Sequence, residues 1–417
     1  MSETVTITRL GARGDGIADT PDGPAYVPFT LPGEVVAIAG KGERREIAGI
    51  VTPSPDRVSP ACRHFGRCGG CALQHMAPSA YRKWKGQRVV DALARAGIDK
   101  TPEPLVACEA GSRRRAVFSA RNTEAGPVLG FNEAASHAIV EVGECPVLEP
   151  MIVGALPRLR ELVAILGKTA GPVRLTATAS DAGLDVDLAG AGRPADQVLR
   201  KIADHALDAG FARVSVDAEI VIEPRKPEIA LGGVTDGATV TPPPGGFLQA
   251  AAVAEDAMAA LVCAHLKKSK RVVDLFAGSG AFALRLALNS MVHAVEHDAA
   301  ALAALDRGFR FGKRLKTVTT ERRDLFRRPL TPAELKRFDG LVFDPPRAGA
   351  EAQASAIAKS GVRRVAAVSC NPATFARDLA ILRDSGYRLE SVTPIDQFLW
   401  SPHVEAVALL EKPPVRR

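Results

Sequence analysis

The chain of 417 residues has no run approaching the ~20 uninterrupted apolar residues that a membrane span needs. Its first residues, MSETVTITRL, lack the basic-then-apolar order of an export signal, so a cytoplasmic location with no membrane partner is expected. An even, dense set of cysteines is also missing. The seven present are an odd number, which argues against a disulfide framework and for ligands or nucleophiles. Nor is charge in excess: 24% charged and 46% hydrophobic residues exclude wholesale disorder and imply real cores. At ~100 to 200 residues per domain, two to four domains are expected.

Positive charge is concentrated rather than abundant. Between Arg57 and Arg121 thirteen Lys and Arg face four acids, a net +9 against +7 for the whole chain. Such an excess fits a polyanionic partner such as nucleic acid, although a basic solvated face would read the same way.

The first ~53 residues are short β-like runs broken by Gly, Pro and Asp, with turn signals at the spacing of a small β-barrel; OB-type barrels often bind oligonucleotides. TPSPDRVSP then marks a boundary. A cysteine cluster and a helical stretch, SAYRKWKGQRVVDALARAG, follow, and residues ~105 to 240 mix strands and helices in an order the pattern does not reveal. From about 252, apolar strands (RVVDLFAGSG, HAVEHD, FDGLVFDPP, RRVAAVSC, VEAVALLEK) alternate with helices, which implies a doubly wound, mostly parallel sheet. The expected architecture is multidomain α/β: a barrel over 1–53, a central α+β domain with the cysteine cluster and basic region over 54–245, and a Rossmann-like domain over 246–417.

In VVDLFAGSGAFALRLA a strand runs into Gly278 and Gly280 and then a helix, a turn where backbone approaches a ligand closely. The next strand ends in Glu296, placed to bind ribose hydroxyls. A dinucleotide fingerprint wants a third glycine where Ala283 stands, whereas Asp274 before the turn and the later DPP look more like a pocket for S-adenosylmethionine. Asp324 lies where an acid meets an adenine amino group. Asp344 ends a buried strand ahead of two prolines and Arg347, a fixed acceptor at the strand-end crevice of an open sheet.

Cys370, in VSCNPATFARDL, ends the next strand and reaches the same crevice. Buried cysteines are commonly inert, but a thiolate at the mouth of a pocket is a strong nucleophile. Glu405, in SPHVEAVALLEK, opens a further strand. A thiol and a carboxylate together suit pyrimidine methylation: C5 of uracil is a poor nucleophile until a thiolate adds to C6, and a base must afterwards take the C5 proton. Cys62, Cys68 and Cys71 form C-x5-C-x2-C, and Cys145, followed by Pro146, is the best fourth ligand; four thiolates suit zinc or an iron-sulfur cluster.

Together these motifs resemble the S-adenosylmethionine-dependent RNA uracil-C5 methyltransferases over nearly the whole chain, from a TRAM-like barrel through RRRAVF and GFNEAASHAIVEVGECPVL to SCNPATFARDL and HVE. The resemblance implies Cys370 as nucleophile and Glu405 as proton acceptor. It implies donor contacts at Gln249, Phe276, Gly278, Gly280, Glu296, Asp324 and Asp344, a [4Fe-4S] cluster on Cys62, Cys68, Cys71 and Cys145, and Arg347 near the substrate. The branch acting on 23S ribosomal RNA is expected, with transfer RNA as the alternative and an RNA-binding or chaperone protein of weak activity as the competing class. A monomer is expected, with the flipped base stacked on Trp400 or Phe247 unless these serve core packing. Departures from the family pattern are Ala281 and Ala251 in place of Asn, and Phe398, Leu399, Trp400 and Ser401 ahead of HVE.

Overall fold

The computed structural model describes residues 3–231 and 237–413. The apolar strands of the C-terminal third form one eight-stranded sheet. Its order is Val318–Arg322, Met291–Glu296, Arg271–Leu275, Gly340–Phe343, Arg364–Ser369, Glu405–Glu411, Arg388–Asp396 and Val106–Ala107. The first five strands run parallel. Helices cover both faces, so the inner strands are apolar on both sides, and two separate clusters, around Leu275, Phe343 and Leu379 and around Met258, Leu305 and Val368, fill the layers.

Glu405–Glu411 is antiparallel to Arg364–Ser369, with Ser369 opposite Ala406. The next residue outward on the first strand is Cys370 and on the second Glu405. One chain reversal thus brings the start of a late strand to the edge where the parallel strands end, which is also where Asp344 and Phe276 stand.

Residues 78–107, expected in the central domain, belong structurally to this sheet. The helix Pro78–Arg95 places Val89, Ala92 and Leu93 in the same core as Leu379, and Val106 and Ala107 pair with Ile395 and Asp396. The apolar face of that helix has more to bury than the cysteine segment can cover, so the expected boundary at 245/246 does not separate the layers.

The central part is a seven-stranded sheet ordered Ile139–Glu141, Gly126–Asn132, Arg115–Thr123, Val173–Ser180, Gly183–Ala189, Arg213–Val216 and Glu219–Ile222. The helices Leu156–Leu166 and Asp196–Asp208 pack on it through Leu159, Leu162 and Ile202. The N-terminal strands form two three-stranded antiparallel sheets over one small core of Ile7, Val27, Val36 and Ile38. Among the described residues no continuous ladder joins the two into a closed barrel; a bridge from Tyr26 to Arg44 links them.

The basic segment is less free than its composition implies. Arg57 pairs with Glu34, Arg63 with Glu144, Arg67 with Glu133, Arg114 with Glu255 and Lys85 with Asp396. These acids lie outside the segment in sequence and fold back onto it, so much of the local excess is cancelled internally.

Lys85 is fully buried. Its ammonium donates to Asp396 Oδ1 at 2.6 Å, to the carbonyl of Phe398 at 3.1 Å and to the carbonyl of His403. All three hydrogens are spent on the loop that leads to Glu405. Burial brings the ammonium down to about 8, against the pull of Asp396. Lys85→Met leaves Asp396 buried without its cationic partner and is expected to cost ~3 kcal/mol or more, read as a lowered midpoint in chemical denaturation.

Candidate active site

Cys370 sits in the turn between the strand Arg364–Ser369 and the helix Pro372–Asp384. Asn371 caps that helix, its Oδ1 accepting from the N–H of Ala373 at 3.2 Å, and Pro372 opens it where no N–H is needed. The Asn371 amide also donates to the carbonyl of Arg347 at 2.9 Å, tying the thiol turn to the Asp-Pro-Pro-Arg loop. Asn-Pro after the cysteine is therefore a helix start that leaves the thiol at a helix N-terminus, where negative charge is favoured. Burial, then Glu405 and Asp344, push the thiol up to about 11, while Arg347 pulls it down.

Glu405 and Asp344 are joined by two buried amides. Gln397 Nε2 donates to Glu405 Oε2 at 2.6 Å and to Gln249 Oε1 at 2.9 Å, and Gln249 Nε2 donates to Asp344 Oδ2 at 3.0 Å. Burial holds both carboxyls above the usual range; Asp344 raises Glu405 further, and the amide of Gln397 opposes the rise. The sequence reading singled out three of these four residues and missed Gln397, which no charge or spacing marks.

Around the glycine turn, Asp274 is completely buried and among the described residues neither of its carboxylate oxygens has a partner in good hydrogen-bond geometry, although the Ala283 N–H still favours its charge. Burial, followed by Asp344 and Glu296, raises it well above the carboxylate range. Phe276 takes a left-handed backbone (φ 63°), a conformation costly for an aromatic residue, and its ring lies 5.5 Å from that of Phe326, another residue the sequence reading did not name. The two glycines differ. A side chain at Gly278 would meet nothing within 4 Å, whereas one at Gly280 would strike Leu305 at 2.8 Å. Gly278 thus faces open space and Gly280 serves packing.

Glu296 Oε2 accepts from the N–H of Gly278 at 3.0 Å, and Oε1 from those of His297 and Asp298. Asp324 accepts from the amides of Phe326 and Arg327. Ala251 is fully buried in the core beside Met258. Trp400 packs with Leu73 and Tyr81, while Phe247 is 71% exposed.

Cys62, Cys68, Cys71 and Cys145 line one cavity of about 330 Å³, with Arg113, Phe398, Ser401 and His403 on its wall. Burial and the neighbouring thiols push Cys71 up to about 12, and Cys68 and Cys145 are raised likewise. Among the described residues no three His, Cys, Asp or Glu side chains are arranged to hold a metal ion, so the expected cluster rests on the shared cavity alone. The backbone N–H groups of Ala72 and Leu73 donate to the carbonyl of Trp400 at 2.9 and 3.1 Å, and the hydroxyl of Tyr81 accepts from the Trp400 N–H at 2.7 Å. The cysteine segment therefore grips the loop ahead of Glu405.

Residues 312–413, which carry Cys370 and Glu405, match the tRNA (Uracil-5-)-methyltransferase family. The 23S rRNA (uracil(1939)-C(5))-methyltransferase of Chromohalobacter salexigens is 32% identical over 99% of this chain and 90% of its own. The chain belongs to the RNA uracil-C5 methyltransferase family. Within it, an uncharacterized RNA methyltransferase of Brucella suis is 56% identical over 98% of this chain and 97% of its own, and one of Mesorhizobium japonicum is 56% identical over the full length of both. In fold, the chain resembles the tRNA (uracil-54, C5)-methyltransferase of Pyrococcus abyssi, solved with S-adenosyl-L-homocysteine: TM-score 0.76, 24% identity, 98% of this chain and 100% of that one.

A buried carboxyl whose folded-state pKa is raised costs stability once ionised. The deficit is absent below the unfolded value, ~4.3 for Glu, and grows as pH climbs from there through the raised folded value. Glu405→Gln removes that charge and keeps an acceptor for Gln397. A higher thermal midpoint is expected at pH 8, by ~2 °C or more, with little change at pH 4; calorimetry at the two pH values checks it.

Proposed function

We propose that the protein transfers a methyl group from S-adenosylmethionine to C5 of a uridine in RNA, with 23S ribosomal RNA as the substrate class. The observation that carries this reading is the meeting of Cys370 and the buried Glu405 on adjacent strands at one sheet edge. In this reading Cys370 Sγ loses its proton with help from the Arg347 guanidinium and the helix N-terminus, then adds to C6 of the uracil. The C5–C6 electron pair moves into an enolate and C5 becomes nucleophilic. S-adenosylmethionine, when bound, supplies an electrophilic methyl group to C5. Glu405 then takes the C5 proton, the C5=C6 double bond re-forms and the C6–S bond breaks to return the thiolate.

Several features fit the donor at the glycine turn: the orphaned carboxyl of Asp274, the open face at Gly278, the Phe276–Phe326 wall, and Asp344 held by Gln249. Glu296 and Asp324, already bonded to backbone amides, keep free lone pairs for ribose and adenine. Phe247 is the exposed aromatic available to stack on a flipped base, whereas Trp400 serves packing. Arg347, Arg88 and Arg113 gather around His403, and none of the three is in an ion pair among the described residues. Of these, Arg347 also stands beside the Cys370 thiol, where a guanidinium suits an RNA phosphate. Ribosomal RNA is preferred because the ribosomal RNA enzyme of Chromohalobacter salexigens is 32% identical to the chain, against 24% for the transfer RNA enzyme of Pyrococcus abyssi.

Incubation with 5-fluorouridine-substituted RNA and S-adenosylmethionine tests the reading, since fluorine at C5 cannot leave as a proton. A denaturing gel should show a covalent adduct with ribosomal RNA and none with Cys370→Ala. No adduct with ribosomal or transfer RNA would sink it, and an adduct with transfer RNA alone would reassign the substrate.

The four thiols line one cavity, as a metal site held by four thiolates would require, and the family resemblance favours a [4Fe-4S] cluster over a single ion there. The cluster would bind the four as thiolates and cross-link the 62–71 segment to Cys145. Anaerobically purified protein should contain iron and acid-labile sulfide in equal amounts. Cys71→Ser should lose both and lower the thermal midpoint; an unchanged midpoint with full iron would overturn the assignment.

A further inference from the structure

Gln397 is 3% exposed and every hydrogen-bonding atom of its side chain is used. Its Oε1 accepts from the N–H of Ala250 at 3.1 Å, while Nε2 donates to Gln249 Oε1 and Glu405 Oε2. The oxygen and nitrogen of a side-chain amide are ordinarily interchangeable by rotation. Here they are not, because a backbone N–H can only donate and must face the oxygen. The Nε2 then has to face the other two partners, both as acceptors. Gln249, having given its oxygen to Gln397, must turn its own Nε2 to Asp344. One backbone amide thus sets the direction of the whole chain from Ala250 to Gln397, then on one branch to Gln249 and Asp344 and on the other to Glu405.

For Glu405 the consequence is atomic. Oε2 is engaged by a donor that cannot rotate away, while Oε1 meets no side-chain donor among the described residues. We propose that Gln397 is the positioning residue of the proton-abstraction step, anchoring Oε2 so that Oε1 is the atom that receives the C5 proton; this rests on Glu405 being the base. In that step the C5–H bond breaks and the proton goes to Oε1. The C–H electron pair forms the C5=C6 double bond, and the C6–Sγ bond breaks with its electron pair returning to Cys370. The donated hydrogen bond also favours the ionised carboxylate against the larger effect of burial.

Gln397 acts directly on Glu405 and reaches the methyl-donor side only through Gln249 and Asp344, so its loss should fall more heavily on proton abstraction than on methyl addition. Gln397→Met is close in shape but has no donor. With natural-uridine 23S ribosomal RNA and S-adenosylmethionine, this variant should transfer about one methyl per enzyme and then stall as a covalent methylated adduct. Its kcat should fall by ~100-fold or more with KM changed less than ~3-fold, and the ascending limb of its pH profile should move to higher pH.

With 5-fluorouridine RNA, where the base is not needed, the same variant should form adduct at a rate close to wild type, which also shows that it is folded. Gln397→Leu, likewise without a donor toward Glu405, should repeat the pattern if the Met variant does not fold. Turnover within ~3-fold of wild type, or equal loss of fluorouridine adduct and turnover in a folded variant, would overturn the proposal. Failure of wild type itself to form the fluorouridine adduct would instead count against the methyltransferase reading on which it rests.

Discussion

A buried ammonium closes the active site. Lys85, on a helix that precedes the central sheet, holds both ends of the loop from Asp396 to His403. Its attraction to Asp396 offsets a desolvation cost of several kcal/mol, and the two carbonyls complete the coordination that a buried cation requires. With the ends of the loop fixed, the tip can be held separately: Trp400 takes a left-handed backbone and is bonded through its carbonyl to Ala72 and Leu73. The strand that begins with Glu405 therefore starts from a rigid point.

From that rigidity follows the electrostatic character of the site. Three carboxyls, Asp274, Asp344 and Glu405, and one thiol are withdrawn from water, and burial is the leading cause of each rise in pKa. Each would be costly in a loose structure, because water entering the pocket would return the acids to their ordinary range. Held dry, they remain basic enough to accept protons near neutral pH, which is what removal of a weakly acidic C5 proton asks of a carboxylate. The stability given up by burying charge is recovered as reactivity, a trade common where catalytic groups are packed.

Much of this was legible in the sequence because Cys370, Glu405, Asp344 and the glycine turn sit at the ends of short apolar strands, where both the pattern and the chemistry are local. The helix Pro78–Arg95 was legible for the same reason, whereas the four cysteines share a cavity without a metal-holding arrangement among the described residues. Lys85 was misleading: on composition it counts toward an RNA-binding surface, and only the fold shows it consumed by Asp396, 311 residues away. Arg114 and Arg57 misled in the same way, through Glu255 and Glu34. Gln397 was invisible because an amide carries neither charge nor hydrophobicity to mark it, and its importance comes from partners at 249, 250 and 405. The order of the central sheet was equally out of reach, since it depends on pairings among strands of similar composition.

The two-residue strand Val106–Ala107 occupies the outer position beside Arg388–Asp396 and so completes the sheet with the earliest of its strands in the chain next to one of the latest. During synthesis that early segment emerges long before its partner exists. The helix Pro78–Arg95 must likewise wait with its apolar face uncovered until residues near 379 and 396 leave the ribosome. Contacts of such high sequence separation slow folding and lengthen the interval in which sticky surface is exposed. The protein is thus one whose nascent chain gains its working centre only after the strand that begins at Glu405 has been made, and whose earlier segments have the greatest need of a chaperone until then.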